Sequence, residues 1–290
     1  MSLPRKIMET KLRRFVEEDV GHGDVTTFCT VPFGTVAEAE VIAKEEGVIA
    51  GLEEALIFAE TFGLQAEALV KDGSSARPKT RLLHIKGDAA TMLTIERTLL
   101  NLLSMMSGIA THTNRLVEKI RKAGYKARVA ATRKTTPGMA YFEKKAVMVG
   151  GADSHRWGMD DMILIKDNHI TIVGNIRDAI KQARKKASFS KKIEVEVSRV
   201  DNVLEAAKAQ VDIIMLDNFT PKQIQKTIEL LKKNKLRTDV LVEVSGGINE
   251  QNILKYAAIG VDIISLSEIT QNAKPLDLSL EITDVKKPRA

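Results

Sequence analysis

The feature that most narrows the folds open to this chain is a repeat of short apolar runs separated by amphipathic stretches of helical length, beginning near residue 126. The runs are RVAA (128–131), MILI (162–165), IEVEV (193–197), DIIML (212–216), VLVEV (240–244) and DIISL (262–266). Between them, segments 202–209, 221–233 and 249–258 read as helices, with Thr220–Pro221 and Asn249 supplying helix-start chemistry. Alternating strands and helices force parallel strands with right-handed crossovers, so the sheet is either open and doubly wound or closed into a barrel. Six strands fall short of the eight units, roughly 250 residues, of a full barrel. No GxGxxG sequence follows any of the runs, which removes the signature of the open dinucleotide-binding sheet. The expectation is an incomplete α/β barrel.

The run IEVEV bears on closure. Side chains alternate along a strand, so Ile193, Val195 and Val197 share one face while Glu194 and Glu196 share the other. Helices cover the apolar face, and both carboxylates then point into the barrel, where they need cations, hydrogen bonds or water.

The first 110 residues read differently. Segment 36–51 alternates like half-buried strands, 52–61 reads as a helix and 70–73 as a turn, which together suggest a separate α+β domain. Segment 91–120 carries Leu93, Leu99, Leu100, Leu103, Met106 and Ile109 at helical spacing and is expected to form one long helix or two. The tail beyond Thr270 has no evident barrel role and is assigned to the first domain. The expected boundaries are therefore 1–110, joined by 272–290, and 111–271.

Composition excludes several classes. The single Cys29 leaves no internal disulfide, multi-thiolate zinc site or iron–sulfur cluster. Residues 1–14 lack the apolar core of a secretory signal, and no window is apolar enough to span a bilayer, so a cytoplasmic protein without a membrane partner is expected. The net charge of +6 raises the question of nucleic acid, but the Lys and Arg are dispersed and only three Tyr and one Trp are available for stacking. Solubility or an anionic small substrate is the commoner explanation of such charge.

Candidate chemistry collects where the strands end, which in parallel barrels is the active face. RVAA runs into Thr132, Arg133 and Lys134, and MILI into Lys166, Asp167 and Asn168. IEVEV carries Glu196, DIIML ends in Asp217 and Asn218, VLVEV runs into Ser245, Gly246 and Gly247, and DIISL runs into Ser267. The SGG sequence ahead of a helix suits a phosphate, because glycine lets main-chain N–H groups approach the oxygens. Arg133, Lys134, Arg156 and Lys166, with His155, make a second anion pocket, and Glu196 and Asp217 suit sugar hydroxyls or a hydrated divalent metal. A phosphosugar carrying a further anion fits this arrangement.

ATRKTTPG (131–138), EKKAVMVGGADSHR (143–156), LIKDNH (164–169), EVEV (194–197), IIMLDNF (213–219) and EVSGG (243–247) closely resemble the quinolinate phosphoribosyltransferase family. EDVGHGDVTT (18–27) and ERTLLNLLSMMSGIAT (96–111) extend the resemblance over nearly the whole chain. It implies an amino-terminal α/β sandwich domain joined to an incomplete, TIM-like α/β barrel. It also implies a homodimer, or a higher assembly built from it, with shared active sites.

By the same resemblance, Arg133, His155, Arg156 and Lys166, with Arg97 from a neighbouring subunit, grip the carboxylates of quinolinate, and Thr132 adds a hydrogen bond. Lys134 faces the pyrophosphate end of phosphoribosyl pyrophosphate (PRPP). Glu196 and Asp217 bind the ribose and the Mg2+ that accompanies PRPP, and Ser245, Gly246 and Gly247, next to Ser267, bind the 5′-phosphate. Lys134, Lys166, Glu196 and Asp217 are the expected catalytic groups, and no organic cofactor is expected. The implied reaction transfers phosphoribosyl to quinolinate with decarboxylation, in NAD biosynthesis.

The family usually carries glycine at the place of Ser267 and often histidine at that of Gln271, which leaves open a paralogue of the same fold acting on another substrate, such as the molybdenum-associated type. A Schiff-base lyase using Lys166 and a nucleic-acid-binding module resting on charge alone also stay open at this point.

Overall fold

The computed structural model describes residues 3–288. The chain divides into two compact units. One comprises residues 1–112, 148–150 and 273–290; the other comprises 113–147 and 151–272.

The first unit opens with helix Arg5–Val20, which buries Met8, Leu12 and Val16, spaced four residues apart. Strand β1 (Val36–Ala43) alternates as its sequence predicts, with Ala37, Ala39, Val41 and Ala43 inward. It is followed by β2 (Gly47–Val48), helix Leu52–Thr61, β3 (Gln65–Ala68), β4 (Ser75–Ala76) and β5 (Arg81–Asp88). Segment 91–120 resolves to a single continuous helix, Ala89–Lys122. Its Ser107 and Thr111 hydroxyls accept the Ala50 and Val48 N–H groups, at 3.1 and 2.8 Å.

The second unit contains β6 (Arg128–Ala130), β7 (Ile163–Ile165), β8 (Ile193–Val197), β9 (Ile213–Asp217), β10 (Leu241–Ser245) and β11 (Ile263–Ser265). They form one parallel sheet in the order β6-β11-β10-β9-β8-β7. Residues on or directly after all six strands line one cavity, so the sheet is curled around it as an incomplete barrel. At the β6 edge, Asp153 makes a parallel bridge to Ala130 and so brings the 153–156 loop alongside the sheet.

The repeat visible in the sequence has a structural counterpart. Val211-Asp212-Ile213-Ile214 recurs as Val261-Asp262-Ile263-Ile264. Each Asp sits just ahead of its strand and accepts a main-chain N–H of the adjoining one, Asp212 from Ile193 (2.8 Å) and Asp262 from Val242 (2.7 Å). Helix Pro221–Lys233 is set by a Thr220–Gln223 capping box with Pro at its start, and buries Ile224, Thr227, Ile228 and Leu231. Segment 249–258 falls short of the expected helix. Asn249 and Asn252 turn the chain through side-chain hydrogen bonds, and regular helix is confined to Ile253–Ala257.

Strand β12 (Leu278–Lys286) runs antiparallel to β1, giving the first unit a sheet in the order β12-β1-β5-β3.

Candidate active site

The cavity framed by the parallel strands has a volume of about 550 Å³. Thr132, Arg133, Lys134, His155, Arg156, Lys166, Glu196, Asp217, Ser245, Gly246, Gly247 and Ser267 all line it. Arg97 is an exposed residue of the first unit, on the helix Ala89–Lys122.

Register explains why these residues converge. Ser245 pairs with Asp217 and Glu196 with Met215 across neighbouring strands. With side chains alternating along each strand, Glu196, Asp217 and Ser245 share the inner face near the carboxyl ends. Lys166 follows β7, and its Nζ donates to Glu196 Oε2 at 2.7 Å. This ion pair engages the amine that a Schiff-base lyase would need free to attack a carbonyl. The Lys166 N–H donates to His169 Nδ1 (3.0 Å), so His169 pins the loop after β7. Asp217 Oδ2 accepts from Asn218 Nδ2 at 2.7 Å.

The SGG segment is a loop-built cradle. Gly246 and Gly247 take φ values of +93° and +61°, open to glycine and costly for other residues. A Cβ on Gly246 would collide with the Asn218 side chain and come within 2.9 Å of its main-chain nitrogen. Asn252 Nδ2 ties down the Gly247 carbonyl at 2.9 Å. The sequence expectation of a helix terminus directly behind the cradle is corrected, because the nearest helix begins at Ile253.

Below the rim the interior is unusually polar. Glu194 and Glu243 are both completely buried. His155 Nε2 lies 3.2 Å from Glu243 Oε2 and 3.4 Å from Glu194 Oε2, and the other Glu243 oxygen accepts the Ser265 hydroxyl at 2.5 Å. Burial, then the charge of Glu243, pushes the Glu194 carboxyl up to about 8. Burial disfavours charge on His155, but the hydrogen bond and charge of Glu243 and the charge of Glu194 outweigh it and raise its pKa. The Arg156 N–H works the other way, since it donates to Nδ1 at 2.8 Å and an acceptor nitrogen carries no proton. With Nδ1 accepting from Arg156, the ring proton on Nε2 faces Glu243. Ligand atoms of the three residues lie within 4.8 Å of one another, a spacing that also suits a cation.

Both nitrogens of His155 are engaged with the protein's own groups, Nε2 with Glu243 and Nδ1 with the Arg156 N–H. Burial and the neighbouring Arg133 lower the pKa of Arg156. Two such cations lining one end of the cavity favour an anion. Sequence reasoning placed Glu194 inside the barrel but assigned it no partner, and it passed over Glu243 and Lys144. The alternation of VLVEV, read as IEVEV was, would have placed Glu243 on the inner face. Among the described residues, no helix is long and apolar enough to cross a membrane.

Residues 24–107 match the family described as quinolinate phosphoribosyl transferase, N-terminal domain, and residues 109–281 match the corresponding C-terminal domain. The chain is 46% identical over 275 residues to a probable nicotinate-nucleotide pyrophosphorylase (carboxylating) of Methanothermobacter thermautotrophicus, covering 95% of this chain and 99% of that one. It is 37% identical to the human nicotinate-nucleotide pyrophosphorylase (carboxylating), over 85% of this chain and 82% of the human protein. The solved nicotinate-nucleotide pyrophosphorylase from Francisella tularensis superposes with a TM-score of 0.89 at 36% identity, covering 97% and 98% of the two chains. With both of its domains matched and its fold shared at this level of identity, the chain belongs to the quinolinate phosphoribosyl transferase family.

Proposed function

We propose that the protein transfers the phosphoribosyl group of PRPP to quinolinate with decarboxylation, yielding nicotinate mononucleotide, pyrophosphate and carbon dioxide for NAD biosynthesis. The observation that carries this reading is the polarity of this cavity, where Arg133, Arg156 and Lys166 share one space with Glu196, Asp217 and the Ser245-Gly246-Gly247 cradle.

In this reading Arg133, Arg156 and Lys166 hold the two carboxylates of quinolinate, Thr132 adds a hydrogen bond, and the partner subunit's Arg97 completes the grip. His155 serves the grip through Arg156. The guanidinium fork orients a planar diacid in a way that a point charge does not. The glycine cradle, with Ser245 and Ser267, receives the 5′-phosphate, and Lys134 faces the pyrophosphate. Glu196 and Asp217 hold the ribose hydroxyls and stabilise positive charge that develops at the anomeric carbon as the ring nitrogen displaces pyrophosphate.

Glu196 and Asp217 are also the carboxylates that would hold Mg2+ brought in with PRPP. Both line the cavity, and one or two carboxylates beside substrate phosphates are the usual donor set for this ion. Magnesium supplies charge neutralisation at the departing pyrophosphate. Once the ring nitrogen is quaternary, its positive charge stabilises the electron pair left on the adjacent carbon as the 2-carboxylate departs, and a proton then forms the new C–H bond. No organic cofactor is needed for that step. We assign residues 1–110 with 272–290 to a sandwich domain and 111–271 to the catalytic barrel, place the protein in the cytoplasm, and take the active assembly to be a homodimer.

The test is incubation of the purified protein with quinolinate, PRPP and Mg2+. Nicotinate mononucleotide and carbon dioxide are expected in equal amounts; folded protein that forms neither defeats the proposal.

A further inference from the structure

Under the diacid end of the cavity lies Lys144, on helix Ala140–Val149, with 1% of its surface exposed. Its Nζ donates to two main-chain carbonyls, Ser154 O at 2.7 Å and Arg156 O at 2.5 Å. These carbonyls flank His155, whose φ of +52° lies in the left-handed region that a residue with a side chain enters at a cost. Such a conformation persists only where its surroundings hold it. Here the Asp153 carboxylate accepts the His155 N–H at 2.7 Å, Glu243 holds the ring, and Lys144 holds both neighbouring carbonyls.

We propose that Lys144 is a positioning residue for the quinolinate end of the site: by capping the carbonyls on both sides of His155, it keeps that residue in its left-handed turn and so aims Arg156 into the cavity. The inference rests on the reading of this cavity as a quinolinate site. Burying an ammonium is expensive, and the adjoining Phe142, Ala146 and Val147 of the same helix are buried without that cost. What lysine supplies here is a pair of donors at the end of a long stem. An amine keeps two N–H bonds even without its charge, so the clamp does not depend on protonation. Its reach is local. The cradle at residues 245–247 belongs to another loop, and PRPP binding is therefore spared.

The experiment is steady-state kinetics on Lys144→Met with quinolinate and PRPP varied separately, the fold being checked by circular dichroism. The quinolinate KM is expected to rise roughly tenfold or more while the PRPP KM moves by less than about twofold. Lys144→Arg, which restores donors, should recover part of the loss. In an Arg156→Ala background the further effect of Lys144→Met on quinolinate should largely vanish, because the lysine acts through that arginine. Lys144→Gln gives the same reading if the methionine variant does not fold. An unchanged quinolinate KM, an equal rise in both KM values, or an undiminished effect in the Arg156→Ala background overturns the inference. Wild-type protein that neither binds nor converts quinolinate overturns the functional reading itself, a result distinguishable from the other three.

Discussion

His155 Nε2 and Glu243 Oε2 lie 3.2 Å apart in the barrel interior, 88 residues apart in sequence. Glu243 also accepts the Ser265 hydroxyl at 2.5 Å, so one buried carboxylate ties the loop carrying Arg156 to two adjacent strands. Glu243→Ala would leave the imidazole N–H and the serine hydroxyl buried without their acceptor. We expect a loss of about 2–4 kcal/mol in urea unfolding, with turnover falling in parallel. A change below about 0.5 kcal/mol, within the range of an ordinary surface substitution, would show that the contact is dispensable.

Arg133 is an exposed cation at the cavity rim. Arg133→Ala should abolish measurable quinolinate binding while the melting temperature stays nearly constant. Arg156→Lys should weaken quinolinate binding as well, because it keeps the charge and loses the fork. Calorimetric titration of each variant decides; normal affinity in Arg133→Ala would break the assignment of the site.

At the opposite end, Gly246→Ala forces a side chain into a left-handed turn already occupied by Asn218. The PRPP KM should rise roughly tenfold or more, with stability reduced by about 1–3 kcal/mol. Kinetics and unfolding measured on the same preparation check both values. Quinolinate affinity in the absence of PRPP should stay near that of wild type.

A shared site makes a quantitative demand on mixed subunits. If the partner subunit's Arg97 completes each site, neither Arg97→Ala nor Arg133→Ala protein is active alone. Refolding them together in equal amounts should restore about one quarter of wild-type activity, since half the dimers are mixed and one of their two sites carries no substitution. No recovery from a mixture shown to exchange subunits would remove Arg97 from the site.

Burial, with Arg133 and Arg156 nearby, pushes the Lys144 ammonium down to about 8, while Asp161 and Asp153 pull it up and His155 also faces it. As pH rises through 8 this cation is lost, and attraction for a dianion weakens. The quinolinate dissociation constant should therefore rise between pH 7 and pH 9 in the wild type, and rise less in Lys144→Met. Titrations at several pH values read this directly.

Much of the architecture was legible in the chain alone. The alternation of IEVEV set Glu196 on the inner face, Thr220-Pro221 started its helix, and the polar residues after successive strands marked the rim. These are local properties, governed by a period of two along a strand and by capping within one turn. The misreadings were local as well: in 249–258 the Asn249 and Asn252 side chains compete for the main-chain groups that a helix would use.

Sequence by itself therefore determined the six parallel strands, the order of the rim residues and the cationic character of one end of the site. Only the tertiary structure decided that Glu243 meets His155 and that Lys144 caps the carbonyls of 154 and 156. Those contacts arise when the sheet curls and the 153–156 loop lies against its edge strand. Periodicity says which way a side chain points, whereas distances across a closed interior depend on curvature, and no spacing along the chain encodes that directly.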